Sequence, residues 1–177
     1  MRADARRNYD RMVAVAAEVV AEQGAGASLE EIARRAEIGS ATLHRHFGGR
    51  VALLEAVFES SIAAVCDRAD ELHDHPEPLR ALTIWLHDMV GHITTVRGLG
   101  PALMMSAERG SQCHLRIRAA GQSLLVRAQE DGSVPADVDI SDLLKLLNGI
   151  SLASDQDAAQ ADRLVDLVIR GVAPGAG

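Results

Sequence analysis

Side chains that could meet nucleic acid crowd into one short stretch, Ser40-Ala-Thr-Leu-His-Arg-His-Phe-Gly-Gly-Arg50. Read as a helix, it sends Leu43 and Phe47, four apart, to one side. Ser40, Ala41, Thr42, His44, Arg45 and His46 are left facing outward. Small residues and hydrogen-bonding tips at the start of a short exposed helix suit entry into the DNA major groove, where each base pair shows its own donor and acceptor pattern. Arg50 follows Gly48-Gly49 at the head of the next apolar helix. Free amides and the positive dipole end there make a phosphate site. Arg2, Arg6 and Arg7 cluster at the amino end, either as a phosphate clamp or as a solvated tail.

Two elements must hold that helix. The segment Ser28-Leu-Glu-Glu-Ile-Ala-Arg-Arg-Ala36 carries an S-x-x-E capping box at Ser28 and Glu31, which predicts reciprocal bonds between each side chain and the other's amide. Leu29, Ile32, Ala33 and Ala36 share one face. Glu37-Ile38-Gly39 interrupts the pattern and makes the turn. Ahead of it, Ala5 to Gln23 reads as a helix with Tyr9, Met12, Val13, Ala16, Val19 and Val20 as its inner stripe, ended by Gly24 and Gly26.

The residues Thr42-Leu43, His46-Phe47 and Arg50 resemble the recognition helix and exit of the TetR family of bacterial transcriptional repressors, and Ser28 to Ala36 is similar to the first helix of that family's helix-turn-helix. The specific likeness covers roughly residues 5 to 58. The remainder resembles the family in length and helical layout, with a loose likeness to its SbtR-like C-terminal subgroup. Three positions depart from the pattern. His44 stands where the family usually has Tyr, Glu37 where the turn usually has Gly, and Gly39 where a Ser cap is usual. Glu37 is therefore expected to take φ > 0, unfavourable for a residue with a Cβ.

At 177 residues the chain is long enough for one or two small domains with a core. Its Ala, Leu and Val content, few aromatics and lack of strand-like alternation predict an all-α fold of about nine helices. The resemblance implies that these comprise a DNA-binding head over residues 1–50 and an effector-binding and dimerisation body over residues 51–177. Net charge is −7, and its distribution is uneven. Residues 1–50 hold eight arginines and seven acids, a net +1; the rest hold ten basic and eighteen acidic side chains, a net −8. That asymmetry suits a small DNA-reading head on an acidic body.

Helix 4 should run from after Gly49 to about Leu72, with Leu54, Val57, Phe58, Ile62 and Val65 inside. Pro76 and Pro78 prevent continuous helix over residues 73–78. The body then shows helices at about Leu79–Thr95, Pro101–Glu108, Gln112–Glu130, Ile140–Ala153 and Ala158–Val172. In the last two, Leu143, Leu146, Leu147 and Ile150, with Leu164, Leu167 and Val168, cover more than one face. One face can pack on the body, and the other needs a cover. A two-fold copy supplying the same pair would complete a four-helix bundle; a centrally buried hairpin is the alternative. Trp85, Met89, Met104 and Met105, with His87, His92 and His114 near them, are candidates to line an apolar cavity, or simply core. The resemblance implies that a small molecule binds in this body and alters the spacing of the heads.

Cys66 and Cys113 fit no metal or redox spacing and read as reduced thiols. His73-x-His75 lacks partners at a ligand spacing, so no metal or other cofactor is expected. No G-x-S-x-G, P-loop, H-E-x-x-H or G-x-G-x-x-G arrangement is present, which disfavours an enzyme. No 18-residue apolar run or signal core is seen, so no membrane partner and a cytoplasmic location are expected. The leading reading is a homodimeric regulator released from a pseudo-palindromic double-stranded DNA operator by a small-molecule effector. The other is a helical ligand-binding or interaction protein whose helix-turn-helix no longer reads DNA.

Overall fold

The computed structural model describes residues 2–23, 26–97, 107–154 and 157–173. Eight helices lie among them: α1 (Arg2–Gln23), α2 (Leu29–Arg35), α3 (Ser40–Phe47), α4 (Arg50–His73), α5 (Pro78–Arg97), α6 (Ala107–Glu130), α7 (Ile140–Ala153) and α8 (Ala158–Val172). The chain divides into two compact units. One holds the chain through Ser61; the other takes Ile62–Thr94 and the chain from Ser106.

The first unit is a small helical cluster around Met12, Val13, Ala16, Val19 and Val20 of α1. Ile32 and Ala33 of α2, Leu43 and Phe47 of α3, and Leu53, Leu54 and Val57 of α4 close it. The stripe read from the sequence of α1 is the one buried, because spacing of three and four puts those side chains on a single face. α2 ends in a Schellman turn. The Ile38 amide reaches the Ala33 carbonyl at 3.0 Å and the Glu37 amide the Arg34 carbonyl at 3.2 Å. Glu37 takes the left-handed position at φ 55°, as the Gly-to-Glu departure implied. α3 ends on Gly48, at φ 67°, whose amide bonds to His44 O at 2.7 Å.

The second unit is built on larger side chains. Leu82, Trp85 and Leu86 of α5 meet Leu124 and Leu125 of α6, Ile140, Leu144 and Leu147 of α7, and Val165 of α8. The Trp85 indole donates to the Val65 carbonyl at 3.0 Å, which pairs its one polar atom inside the core. Gly121 makes room for that ring. A Cβ there would lie 2.6 Å from two indole carbons and 2.8 Å from Ile140. α5 starts on Pro78 itself, one residue before the expected start, at a position where a missing N–H costs nothing. α6 is one helix from Ala107, so no break separates Glu108 from Gln112; most of the short helix expected from Pro101 lies outside the described residues. Leu115 of α6 is exposed. Asp139 and Asp157 cap α7 and α8 by accepting from the Ser141 and Gln160 amides at 2.6 and 3.0 Å.

Candidate nucleic-acid interface

α2 is the braced half of the helix-turn-helix. Ser28 is its N-cap, with extended backbone, and its hydroxyl oxygen accepts from the Glu31 amide at 3.4 Å. The reciprocal half of the capping box is replaced. Ser28 Oγ donates to Glu30 at 2.7 Å, and the Glu31 carboxylate instead receives Arg34 at 2.8 Å and Arg35 at 2.7 Å. Arginine forks outcompete a single amide for a carboxylate because their bonds are charge-assisted. They hold the Glu31 carboxyl down at about 2, with Arg34 the larger cause. Arg35 also bridges back to Glu22 of α1 at 2.6 Å, and Arg11 of α1 donates to the Ala36 carbonyl at 2.7 Å, closing the C-terminal end of α2. Sequence reading missed Arg11, because its partner lies 25 residues away and is a backbone atom.

α3 is the opposite case. Leu43 and Phe47 are buried, and the Phe47 ring lies 5.1 Å from that of Tyr9. Ser40, Ala41, His44, Arg45 and His46 are exposed, and Thr42 is half-buried. Among the described residues, no side chain of α3 makes a hydrogen bond or ion pair. Its N-cap is Gly39, which offers no side-chain acceptor. The Thr42 amide bonds to the Gly39 carbonyl at 2.9 Å, and the Ser40 and Ala41 amides have no partner among the described residues. Arg50, exposed at the first position of α4, likewise makes no ion pair among the described residues. At the amino end Arg6 pairs with Asp10 at 3.1 Å on the surface, and Arg7 is exposed. So the arginines sort by role. Arg11, Arg34 and Arg35 hold the motif together, while Arg45 and Arg50 keep their donors turned outward.

The body candidates scatter. Trp85 and Met89 are buried in the core of the second unit. His92 is half-buried, and desolvation holds its imidazole down at about 4, so it is neutral at pH 7. His114 is exposed, and Met104 and Met105 lie outside the described residues. The structure brings these side chains into no common cavity among the described residues. On the two terminal helices, Leu143, Leu147 and Ile150 turn into their own chain's core, so they are corrected from partner-facing to internal. Leu146 and Leu167 are exposed, at 49% and 57%, and Leu164 and Val168 are half-buried. Leu152, at 71% exposed, belongs with them and was not singled out from the sequence.

Known proteins share this arrangement. Residues 12–57 match the family described as bacterial regulatory proteins, tetR family, and residues 77–174 match the C-terminal domain of SbtR-like transcriptional regulators. A TetR transcriptional regulator from Streptomyces coelicolor is 35% identical, with a TM-score of 0.83 over 94% of this chain and 99% of its own. One from Mycobacterium vanbaalenii is 32% identical, with a TM-score of 0.75 over 97% and 98%. PfmR from Thermus thermophilus shares the fold at 18% identity, with a TM-score of 0.66 over 94% and 99%. No curated protein sequence matches the chain. A head with its recognition helix braced from behind, joined to a body matched over most of its length, is the pattern of one family: the chain belongs to the TetR family of transcriptional regulators, with an SbtR-like C-terminal domain.

Proposed function

We propose that the protein is a homodimeric repressor that leaves a pseudo-palindromic operator when a small molecule binds its body. The observation that carries this is the state of α3: a polar face exposed and internally unpaired, fixed from behind by buried Leu43 and Phe47. Ser40, Ala41, Thr42, His44 and Arg45 face base edges or the adjacent backbone. Ser28, Thr42, His44, His46 and Arg50 hold phosphates, with Arg6 and Arg7 contributing from α1. Two such helices about 34–36 Å apart read successive major grooves.

The dimer forms through the outward sides of α7 and α8. Leu146, Leu152, Leu164, Leu167 and Val168 supply apolar surface that nothing in the chain itself covers fully. Gly149 and Gly171 lie on the same two helices, and an added Cβ at either would meet nothing within 4 Å. Small residues there let two helices approach closely, and a two-fold copy completes a four-helix bundle. The effector acts by binding better to a dimer whose heads no longer match the operator. The protein works where that DNA is, in the cytoplasm; no helix among the described residues is long and apolar enough to cross a membrane.

The test is a salt-dependent gel shift against DNA selected by the purified protein. The wild type should bind, and its affinity should fall steeply with salt. Thr42→Ala combined with Arg50→Ala should lose binding while sedimentation still shows a dimer. Full binding by the double variant removes the assignment of α3. No shift by the wild type at low salt favours the ligand-binding protein whose head no longer reads DNA.

A further inference from the structure

The outward positions of α3 are not equivalent. The buried pair Leu43 and Phe47 sets a back line for the helix. At about 100° of turn per residue, Arg45 falls about 180° from that line, and Ala41, one turn earlier, about 140°. His44 and His46 fall about 80° to either side. A helix lying in the major groove points its outermost line at base edges and its flanks at the phosphate walls. His44 keeps to its flank, bordering Leu29 of α2 in a small cleft with Leu43 and Phe47. Arg45 is therefore the side chain of α3 aimed at the groove floor.

The local chemistry keeps Arg45 available. It is exposed, and its guanidinium makes no hydrogen bond or ion pair among the described residues. α3 holds no Asp or Glu to engage it. Four residues earlier, where a carboxylate would clasp an arginine on a helix, stands Ala41. Long helical side chains lean back over the preceding turn, toward the amino end. A single methyl at Ala41 leaves that track clear, so the Arg45 fork can reach the leading half of the helix. Arg34 and Arg35 are the opposite case, each clasped by Glu31, at 2.8 and 2.7 Å. Arg50 lies beyond Gly48-Gly49, at the start of α4 and off the outward line of α3.

A guanidinium offers donors only. In the major groove guanine presents two acceptors side by side, O6 and N7, and the arginine fork pairs with both. Adenine sets an amino donor beside its N7, cytosine shows a donor, and thymine shows one acceptor. α3 carries no Asn or Gln for adenine and no carboxylate for cytosine. We propose that Arg45 reads a guanine in each operator half-site, with Ala41 clearing its path, while His44, His46 and Arg50 meet phosphates. This rests on the DNA-binding reading above and names the base on which that reading turns.

Duplexes selected from a random pool by the purified full chain, followed by gel shifts on single-base-pair variants, test it. The selected half-sites should share a guanine whose replacement weakens the wild type about 5- to 150-fold, the range of one bidentate base contact. Exchanging that guanine for 7-deazaguanine, which lacks the N7 acceptor, should weaken it about tenfold. Arg45→Ala should bind all four base pairs at that position equally and be indifferent to 7-deazaguanine. It should keep the wild-type preferences elsewhere in the site, which shows that the head is folded. Arg50→Ala should weaken every sequence alike and lower the salt slope by about one. Selected sites without a shared guanine, a wild type that accepts 7-deazaguanine, or an Arg45→Ala variant that still prefers guanine overturns the proposal and leaves the regulator reading standing. A wild type that selects no duplex removes both.

Discussion

α2 and α3 are neighbours of seven and eight residues, yet they are held by opposite means. α2 is tied at both ends. Ser28 caps it, Glu31 clasps Arg34 and Arg35, Arg35 reaches Glu22, and Arg11 donates to the carbonyl of its C-cap, Ala36. α3 has no side-chain cap and, among the described residues, no polar side-chain bond; two buried apolar residues hold it. The difference teaches how a recognition element is made. Its orientation comes from side chains that face inward, so that those facing outward stay unpaired, as the proposed DNA contact requires. The polar bonding that a free-standing helix would need is moved onto its neighbour.

The strongest way to break that contrast is Phe47→Ala. It removes the ring stacked near Tyr9 and should cost about 3 kcal/mol in denaturant unfolding. DNA retention should go with it. Arg45→Ala, on the outward face of the same helix, should change stability by less than about 0.5 kcal/mol while weakening the operator complex. If both variants lose the same stability, α3 is not a helix held from one side.

Single backbone positions sharpen the comparison between the two units. Gly121→Ala gains helix propensity but drives a methyl into a fully buried indole, so the clash should win by about 2 kcal/mol. A raised Tm would show that Trp85 can shift. Glu37→Gly relieves a side chain held at φ 55° on the surface and should add about 1 kcal/mol. Its readout is the midpoint of urea unfolding, and a loss would mean that the Glu37 side chain serves the turn.

The smallest effect is acid-dependent. The Glu31 carboxyl is held at about 2, below its ordinary 4.5, by Arg34 and then Arg35. A depressed carboxyl contributes stability that is full above the ordinary value and lost as pH falls from 4.5 toward 2. Glu31→Gln should therefore flatten unfolding-midpoint curves within that window and leave them parallel above it. An unchanged acid limb would mean that the clasp on α2 contributes nothing to the fold.

Much of the architecture was legible locally. α7 and α8 begin and end where apolar periodicity and their capping aspartates place them. The inner stripe of α1, the turn at Glu37 and the outward set on α3 were readable for the same reason: each depends on residues within one or two turns of chain. The failures all involve competition over distance. Glu31 was free to reach back to Ser28 until Arg34 and Arg35 took it. Leu146 and Leu147 are adjacent, and periodicity alone could not say which one the core would claim.

The sequence by itself determined that the chain is helical, where most helices start and stop, and which short segment could present donors to DNA, because these follow from spacing and capping. Tertiary structure decided which of two apolar faces stays outside and which arginines are already spent on carboxylates. It also decided that Arg11 reaches the Ala36 carbonyl, because each outcome depends on which distant groups the packing brings within a few ångströms.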